Sequence, residues 1–404
     1  MFSPSTILIV LIAFSVLRVW LKWQLSRPIS EPSKNPAKCR LIIANELQHE
    51  DQHNALSGHE ARAIPNDHRR IAFGIDNAFT RTNDIHASLF VDKARSLINL
   101  SPKDWADVSE FARATTSHWI EHGFPNLDHT CGKGGCKQKN LDCGRINVAS
   151  LAQSLSLKVV LWLMFGRRDQ HQTSDQSILR LAQSINRVWI SSKQNLTEND
   201  IQRFEDDAEL QISLYNVFGT HERPEDNPLN LILPSFETMW RIVLLAFLEI
   251  RFVAGKDIPV WWQTMITFAR QPTKDQFESY SNSINPRDAQ GTLNAKCIVN
   301  ELLRLYAPTK RIHRAYQWHQ GIGASHEIVS GDIEGCHLRS DIWGSDAERF
   351  ITSSLGRGCA HIELPIRTCT WYNVRYGYLN KLRTFTQDLY LILLHSKIHL
   401  FSIY

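Results

Sequence analysis

Apolar positions recur along most of the chain at intervals of three and four, the spacing that lines one face of a helix. Between residues 106 and 121, Val108, Phe111, Ala112 and Trp119 follow it and predict a helix over Ala106–Glu121. Asn147–Phe165 (NVASLAQSLSLKVVLWLMF) is apolar on most faces and is followed by Gly166. Asn147, Gln153 and Lys158 interrupt that run, so it reads as a core helix rather than a membrane span. An amphipathic helix is expected over Glu198–Phe218 with Thr197 as its cap, and a strongly apolar one over Thr238–Val253. From Tyr316 to Phe350 the pattern breaks into short pieces, with strands expected near Gly321–Ile328 and a turn at Gly331-Asp332. There is no internal repeat and no low-complexity segment. The fold class expected is mainly α with a small β part.

The N-terminus follows a different pattern. Ile7–Leu17 (ILIVLIAFSVL) is almost wholly apolar, and Val19-Trp20-Leu21 extends it past Arg18. A span needs about 20 such residues, so the run is near the minimum. Positive charge (Arg18, Lys22, Arg27) follows the run instead of preceding it, which fits an uncleaved signal anchor better than a cleaved signal peptide. The positive-inside bias then places the body in the cytosol. The stretch RPISEPSKNPAK, with Pro28, Pro32 and Pro36, reads as a stiff linker to that body.

Composition narrows the partners. A chain of 404 residues can bury a substantial core. Its 45 basic and 41 acidic residues leave a formal charge of only +4, with no basic stripe interleaved with aromatics, so nucleic acid is not an expected partner. Eight cysteines are too sparse for a disulfide framework and suit a reduced, cytosol-facing body. His129, Cys131, Cys136 and Cys143 supply soft ligands close together, but no second paired knuckle follows. They read better as part of a Gly/Lys-rich insertion loop than as a zinc-stabilised binding module. His118 and His122 lie four apart without the intervening glutamate of a zinc protease.

The most specific chemistry lies in residues 300–314, NELLRLYAPTKRIHR. Glu301 and Arg304 are three apart and share a helix face, with Ile298, Leu302, Leu305 and Tyr306 around them. A charge pair within apolar packing needs further partners. Together with residues 332–350, DIEGCHLRSDIWGSDAERF, this stretch resembles the cytochrome P-450 family of haem-thiolate monooxygenases, particularly its membrane-anchored fungal members. In that family a helix carries E-x-x-R, then a proline break and a basic residue, and a later segment reads roughly H-R-D-x-x-x-W-G-x-D-A-x-x-F. Glu301, Arg304, Pro308 and Arg314 match the first pattern; His337, Trp343, Gly344, Asp346, Ala347 and Phe350 match the second.

The resemblance implies a cytochrome P-450-like helical fold preceded by one N-terminal transmembrane helix. The chain then divides into a signal anchor (1–25), a proline-containing linker and N-terminal region (26–69), the cytochrome P-450-like domain (70–350) and a divergent C-terminal segment (351–404). It further implies a structural network of Glu301 and Arg304 near the haem, Arg314 near a haem propionate, and a cysteine thiolate on the iron. Implied partners are an NADPH-dependent reductase, a small organic substrate and the endoplasmic reticulum membrane.

The C-terminal segment departs from the family. Where F-x-x-G-x-R-x-C-x-G surrounds the ligand, only Arg357 stands in place beside Cys359, with Thr352, Leu355 and His361 at the other positions. Around Cys369, Arg367 fits but Ile362, Pro365 and Trp371 do not. Cys359, flanked by Gly356 and Gly358, is the expected ligand and Cys369 the alternative. Ser354 falls where the family has a further arginine, and residues 351–404 read as a shifted reading frame, a retained intron or a degenerate gene. A catalytically inactive, haem-deficient membrane protein is the rival reading. The family's proton-delivering A-G-x-D/E-T has a loose counterpart in Ala254-Gly255-Lys256-Asp257-Ile258, where Pro259 argues for a loop instead.

Overall fold

The computed structural model describes residues 31–48, 53–82, 100–125, 147–166, 173–194, 201–220, 224–255, 258–278, 294–318 and 326–350. The apolar run at 7–21, the cysteines at 131, 136 and 143, and Cys359 and Cys369 all lie outside these residues.

The core is built on two long helices, α5 (Val148–Phe165) and α8 (Leu229–Phe252), which pack along one another. Asn147 caps α5 by accepting from the Ser150 amide at 3.1 Å, and Gly166, at φ 90°, ends it. Both helices are long and apolar enough to cross a membrane, yet 72% and 67% of their apolar windows are buried against protein, so they serve as the core. Around them stand α4 (Pro102–His122), α6 (Asp175–Gln194), α7 (Ala208–Phe218), α9 (Pro259–Arg270) and α11 (Ala295–Leu305), with short α10 (Lys274–Glu278) before α11.

Several boundaries differ from the sequence expectation. The helix expected at 106–121 starts four residues earlier, because Ser101 and Asp104 form a reciprocal capping box and Pro102 tolerates the first turn. The helix expected over 198–218 begins only at Ala208. There Asp207, not Thr197, accepts from the Leu210 amide at 3.0 Å. The helix expected over 238–253 starts at Leu229 and runs through Pro234. Proline denies a donor to the carbonyl four residues back, and here that carbonyl, of Asn230, accepts instead from Asn77 Nδ2 at 3.2 Å. Ala254-Gly255 follow the end of α8 as a loop, and Pro259, far from breaking a helix, opens α9.

The small β part is a two-stranded antiparallel ribbon, β1 (Arg311–Tyr316) with β2 (Glu327–Asp332), paired from Arg311↔Asp332 to Tyr316↔Glu327. The strand expected near 321–328 overlaps β2 at Glu327–Ile328, its earlier residues 321–325 lying outside the described residues, and Gly331-Asp332 belong to β2 rather than to a turn. Against the ribbon lies α1 (Pro36–Ala44), where Pro36 starts a helix instead of extending a linker. Cys39, Ile42, Ile312, Tyr316, Val329, Ile333 and Cys336 form a small second core there. Two short helices precede the main core, α2 (Gly58–Ala63) and α3 (Asp67–Phe73). After β2 come α12 (Ile333–His337) and α13 (Ser340–Trp343).

The end of α3 is fastened to the start of α8. Asn227 Nδ2 donates to the carbonyls of Phe73 (2.9 Å) and Gly74 (3.1 Å), and the Asp76 amide donates to Asn230 Oδ1 at 2.7 Å. Gly74 adopts φ 59°, and a Cβ there would meet the Phe204 ring at 2.5 Å, so the turn requires glycine.

Candidate functional site

Two charged constellations lie inside the fold. The first grows from α11, whose Asn294 cap accepts from the Cys297 amide at 2.8 Å. Ile298, Val299, Leu302 and Leu303 turn the helix inward, carrying Glu301 (0% exposed) and Arg304 (2%) with them. Arg304 Nε and Nη2 grip the two Glu301 oxygens at 2.8 and 2.7 Å, a forked geometry. Its other donors go to the backbone: Nη1 to the carbonyls of His337 (3.1 Å) and Ala347, Nη2 to that of Arg349 (2.9 Å). The Trp343 ring lies 4.9 Å from the guanidinium carbon. Every N–H of the guanidinium is thereby matched, which is what makes burial of the pair tolerable. Chemically the node is a staple: it holds residues 337–349 onto α11.

Arg314, on β1, is buried at 4% exposure and donates through Nη2 to the Ile43 carbonyl at 3.3 Å, at the end of α1. Beside it, His313 Nδ1 meets Ser330 Oγ at 2.6 Å. Burial depresses the His313 pKa, and Arg69, Arg311 and Arg314 add to the effect.

The second constellation joins α3, α6 and α8, and sequence reasoning missed it. Glu237 is fully buried midway along α8, with Arg241 Nη1 2.7 Å from its Oε2. Arg241 also donates to Asn186 Oδ1 at 3.0 Å and lies over the Trp240 ring at 4.8 Å. Arg69 stands 4.7 Å and the Lys193 ammonium 4.6 Å from the centroid of the Trp189 ring, with Lys193 at the exposed rim. Arg69 Nε is buried without a hydrogen-bond partner among the described residues.

The electrostatics show what the cluster lacks. Burial raises the Glu237 pKa, while Arg241 and Lys193 pull the other way. Burial takes Arg69 down to about 10, and burial together with Arg69 takes His68 down to about 4. Three cations, Arg69, Lys193 and Arg241, thus share one carboxylate, and the excess positive charge suits an anionic ligand group. The buried Arg69 Nε without a partner among the described residues is the donor that a carboxylate-bearing group such as a haem would engage. The described cysteines do not suit an iron: Cys39 and Cys336 contact each other in the second core, and Cys297 lies in the first turn of α11. One signal could have revealed the cluster. Glu237, with Thr238 beside it, is the only carboxylate in the apolar run from Leu229 to Leu248.

No family model matches the chain, and no curated protein matches it. Solved structures similar to it include the haem domain of a mutant cytochrome P-450DA, at 14% identity and TM-score 0.45, over 91% of this chain and 79% of that one. A cytochrome P-450 OleT variant in complex with arachidonic acid is similar at 11% identity and TM-score 0.46, over 89% and 79%. HmtN, a post-tailoring hydroxylase involved in himastatin biosynthesis, is similar at 10% identity and TM-score 0.41, over 91% and 89%.

Proposed function

We propose that the chain is a cytochrome P-450-like haem monooxygenase of the fungal, membrane-anchored type, acting on a small organic substrate in secondary metabolism. The observation that carries this reading is the Arg304 node, which physically joins the two sequence motifs on which the resemblance rests. Haem, when bound, supplies the iron that activates dioxygen with electrons from an NADPH-dependent reductase. The chain's own residues have narrower tasks. Arg69, Lys193 and Arg314 would hold the haem carboxylates, and Glu301 with Arg304 would fix the segment leading to Cys359, the ligand we assign. Glu237, whose pKa burial raises, and Thr238 beside it on α8 are the pair we assign to proton handling, rather than the loose sequence counterpart at Ala254–Ile258. Residues 1–25 anchor the body to the cytosolic face of the endoplasmic reticulum in a single pass.

The test is the reduced, carbon-monoxide-bound Soret spectrum of purified protein, alongside Cys359→Ser and Cys369→Ser. The thiolate-type band is expected at low haem occupancy, because Thr352, Leu355 and His361 replace the family's shell around the ligand. It is expected to vanish in Cys359→Ser only. Its complete absence from folded wild-type protein would overturn the reading, and its loss only in Cys369→Ser would move the ligand. Deleting residues 1–25 is expected to release the body from membranes with its helical circular dichroism intact.

A further inference from the structure

The second core contains a pair of thiols that the proposed activity does not use. Cys39, on α1, and Cys336, on α12, come from opposite ends of the described chain, yet their sulfurs lie 3.4 Å apart. Both are buried, at 0% and 4% exposure. Each sulfur also lies near a backbone carbonyl of the same short segment: Cys39 Sγ is 3.0 Å from the Ser33 oxygen and Cys336 Sγ 3.3 Å from that of Lys34. Either thiol can also donate to the other sulfur, so the two sulfurs are in direct contact within this frame.

The backbones that carry the pair are tied together independently of it. The Ser33 amide donates to the Ser330 carbonyl and the Asp332 amide to the Ser33 carbonyl, both at 2.8 Å, so residue 33 runs beside Gly331. A Cβ at Gly331 would meet Cys39 Sγ at 3.3 Å, so glycine there leaves room for the sulfurs to turn. A disulfide holds its sulfurs about 2.05 Å apart, and the remaining gap is within reach of side-chain rotation about an otherwise fixed frame.

We infer that Cys39 and Cys336 form a reversible disulfide on exposure to peroxide, clasping the segment that follows the apolar N-terminus onto the β1–β2 ribbon. Cys39 is the sulfur that attacks first: contact with Cys336 lowers its pKa, while the same contact raises that of Cys336. The Cys39 thiolate attacks one oxygen of hydrogen peroxide and the O–O bond breaks. The leaving hydroxide takes up a proton as water, and Cys39 becomes a sulfenic acid. The Cys336 sulfur then attacks the Cys39 sulfur, forming the S–S bond, and hydroxide departs with the Cys336 proton as a second water. Two thiols are oxidised and one peroxide is reduced. A small oxidant suits sulfurs that are reached only when α1 opens locally.

The test treats the full-length protein with hydrogen peroxide, blocks free thiols, digests without reduction and maps the peptides by mass spectrometry. A cross-linked peptide joining Cys39 to Cys336, formed ahead of pairs with other cysteines and cleaved by dithiothreitol, is the expected result. Proteolysis within residues 31–48 is expected to slow by roughly tenfold or more in the oxidised protein. In Cys336→Ser, Cys39 is expected to stop at a sulfenic acid that a dimedone probe captures; should that variant fail to fold, the wild-type map decides alone. The inference is overturned if Cys39 and Cys336 stay alkylatable after unfolding while other cysteines have been oxidised, or if either pairs preferentially elsewhere.

Discussion

Two of the buried charge centres among the described residues are built to opposite rules. At Glu301 and Arg304, charge is balanced locally, every guanidinium N–H is matched, and the carbonyls that complete the set come from residues 337, 347 and 349. At Glu237, three cations gather around one carboxylate among the described residues, and Arg69 Nε and both Glu237 side-chain oxygens are buried there without a hydrogen-bond partner. A closed centre of the first kind holds the fold together. A centre left with surplus charge is costly unless something outside the chain supplies the missing anion. The comparison therefore separates a centre closed by its own hydrogen bonds from one that leaves buried polar atoms unmatched among the described residues.

The largest effect should come from breaking the closed centre. Glu301→Gln and Arg304→Ala each leave an uncompensated buried charge or orphaned acceptors, at an expected cost of about 3–5 kcal/mol in chemical denaturation. Arg314→Ala loses two backbone hydrogen bonds, to His313 and Ile43, and is expected to cost about 1–3 kcal/mol. Near-wild-type unfolding of both α11 variants would show that the node is not what holds residues 337–349.

The open centre should answer in the opposite sense. Arg69→Met removes a cation from an overcrowded site while keeping much of the apolar stem against Trp189. The unfolding free energy of haem-free protein is expected to change by less than about 1 kcal/mol, or to rise. A loss as large as that of Arg304→Ala would mean that both centres are structural and would dissolve the distinction.

A further effect lies in pH. His68 titrates at about 4 in the folded protein against an ordinary value of 6.5, so between those limits the unfolded chain binds the extra proton. Its contribution is present above pH 6.5 and is lost as pH falls toward 4. His68→Gln is expected to flatten the decline in stability over that window, and Arg69→Met to narrow it, since Arg69 helps to depress the histidine. An unchanged slope in both variants would place the acid sensitivity elsewhere.

How much of this was legible in the sequence followed the range of the interactions involved. The α5 helix was readable because its apolar faces and its terminal Gly166 lie within one short stretch, whereas Asn147 read as an interruption and proves to be its cap. The Glu301–Arg304 pair was readable for the same reason, being three residues apart on a helix with apolar flanks. The start of α8 was not, since Pro234 reads as a breaker until Asn77, far away in the chain, supplies a donor for the carbonyl it frees. The ribbon was misplaced because the arginines and histidine of β1 obscure strand alternation, while Gly331-Asp332 carries a turn signature inside β2. The cationic cluster was hidden most completely: Arg69, Lys193 and Glu237 sit on three separate helices. Contacts distant in the chain bring them together: asparagine bonds join the end of α3 to the start of α8, Phe73 and Arg69 meet Trp189 on α6, and Arg241 reaches Asn186.

The most direct test of the central claim is equilibrium haem titration of wild-type protein and Arg69→Met, read by Soret absorbance, with the unfolding midpoint of each haem-free protein measured in parallel. If the open centre supplies the anion-holding end of a haem site, Arg69→Met weakens haem binding by about tenfold or more while the unfolding midpoint stays put or rises. Equal haem affinity in the two proteins, with both folded, would contradict the account.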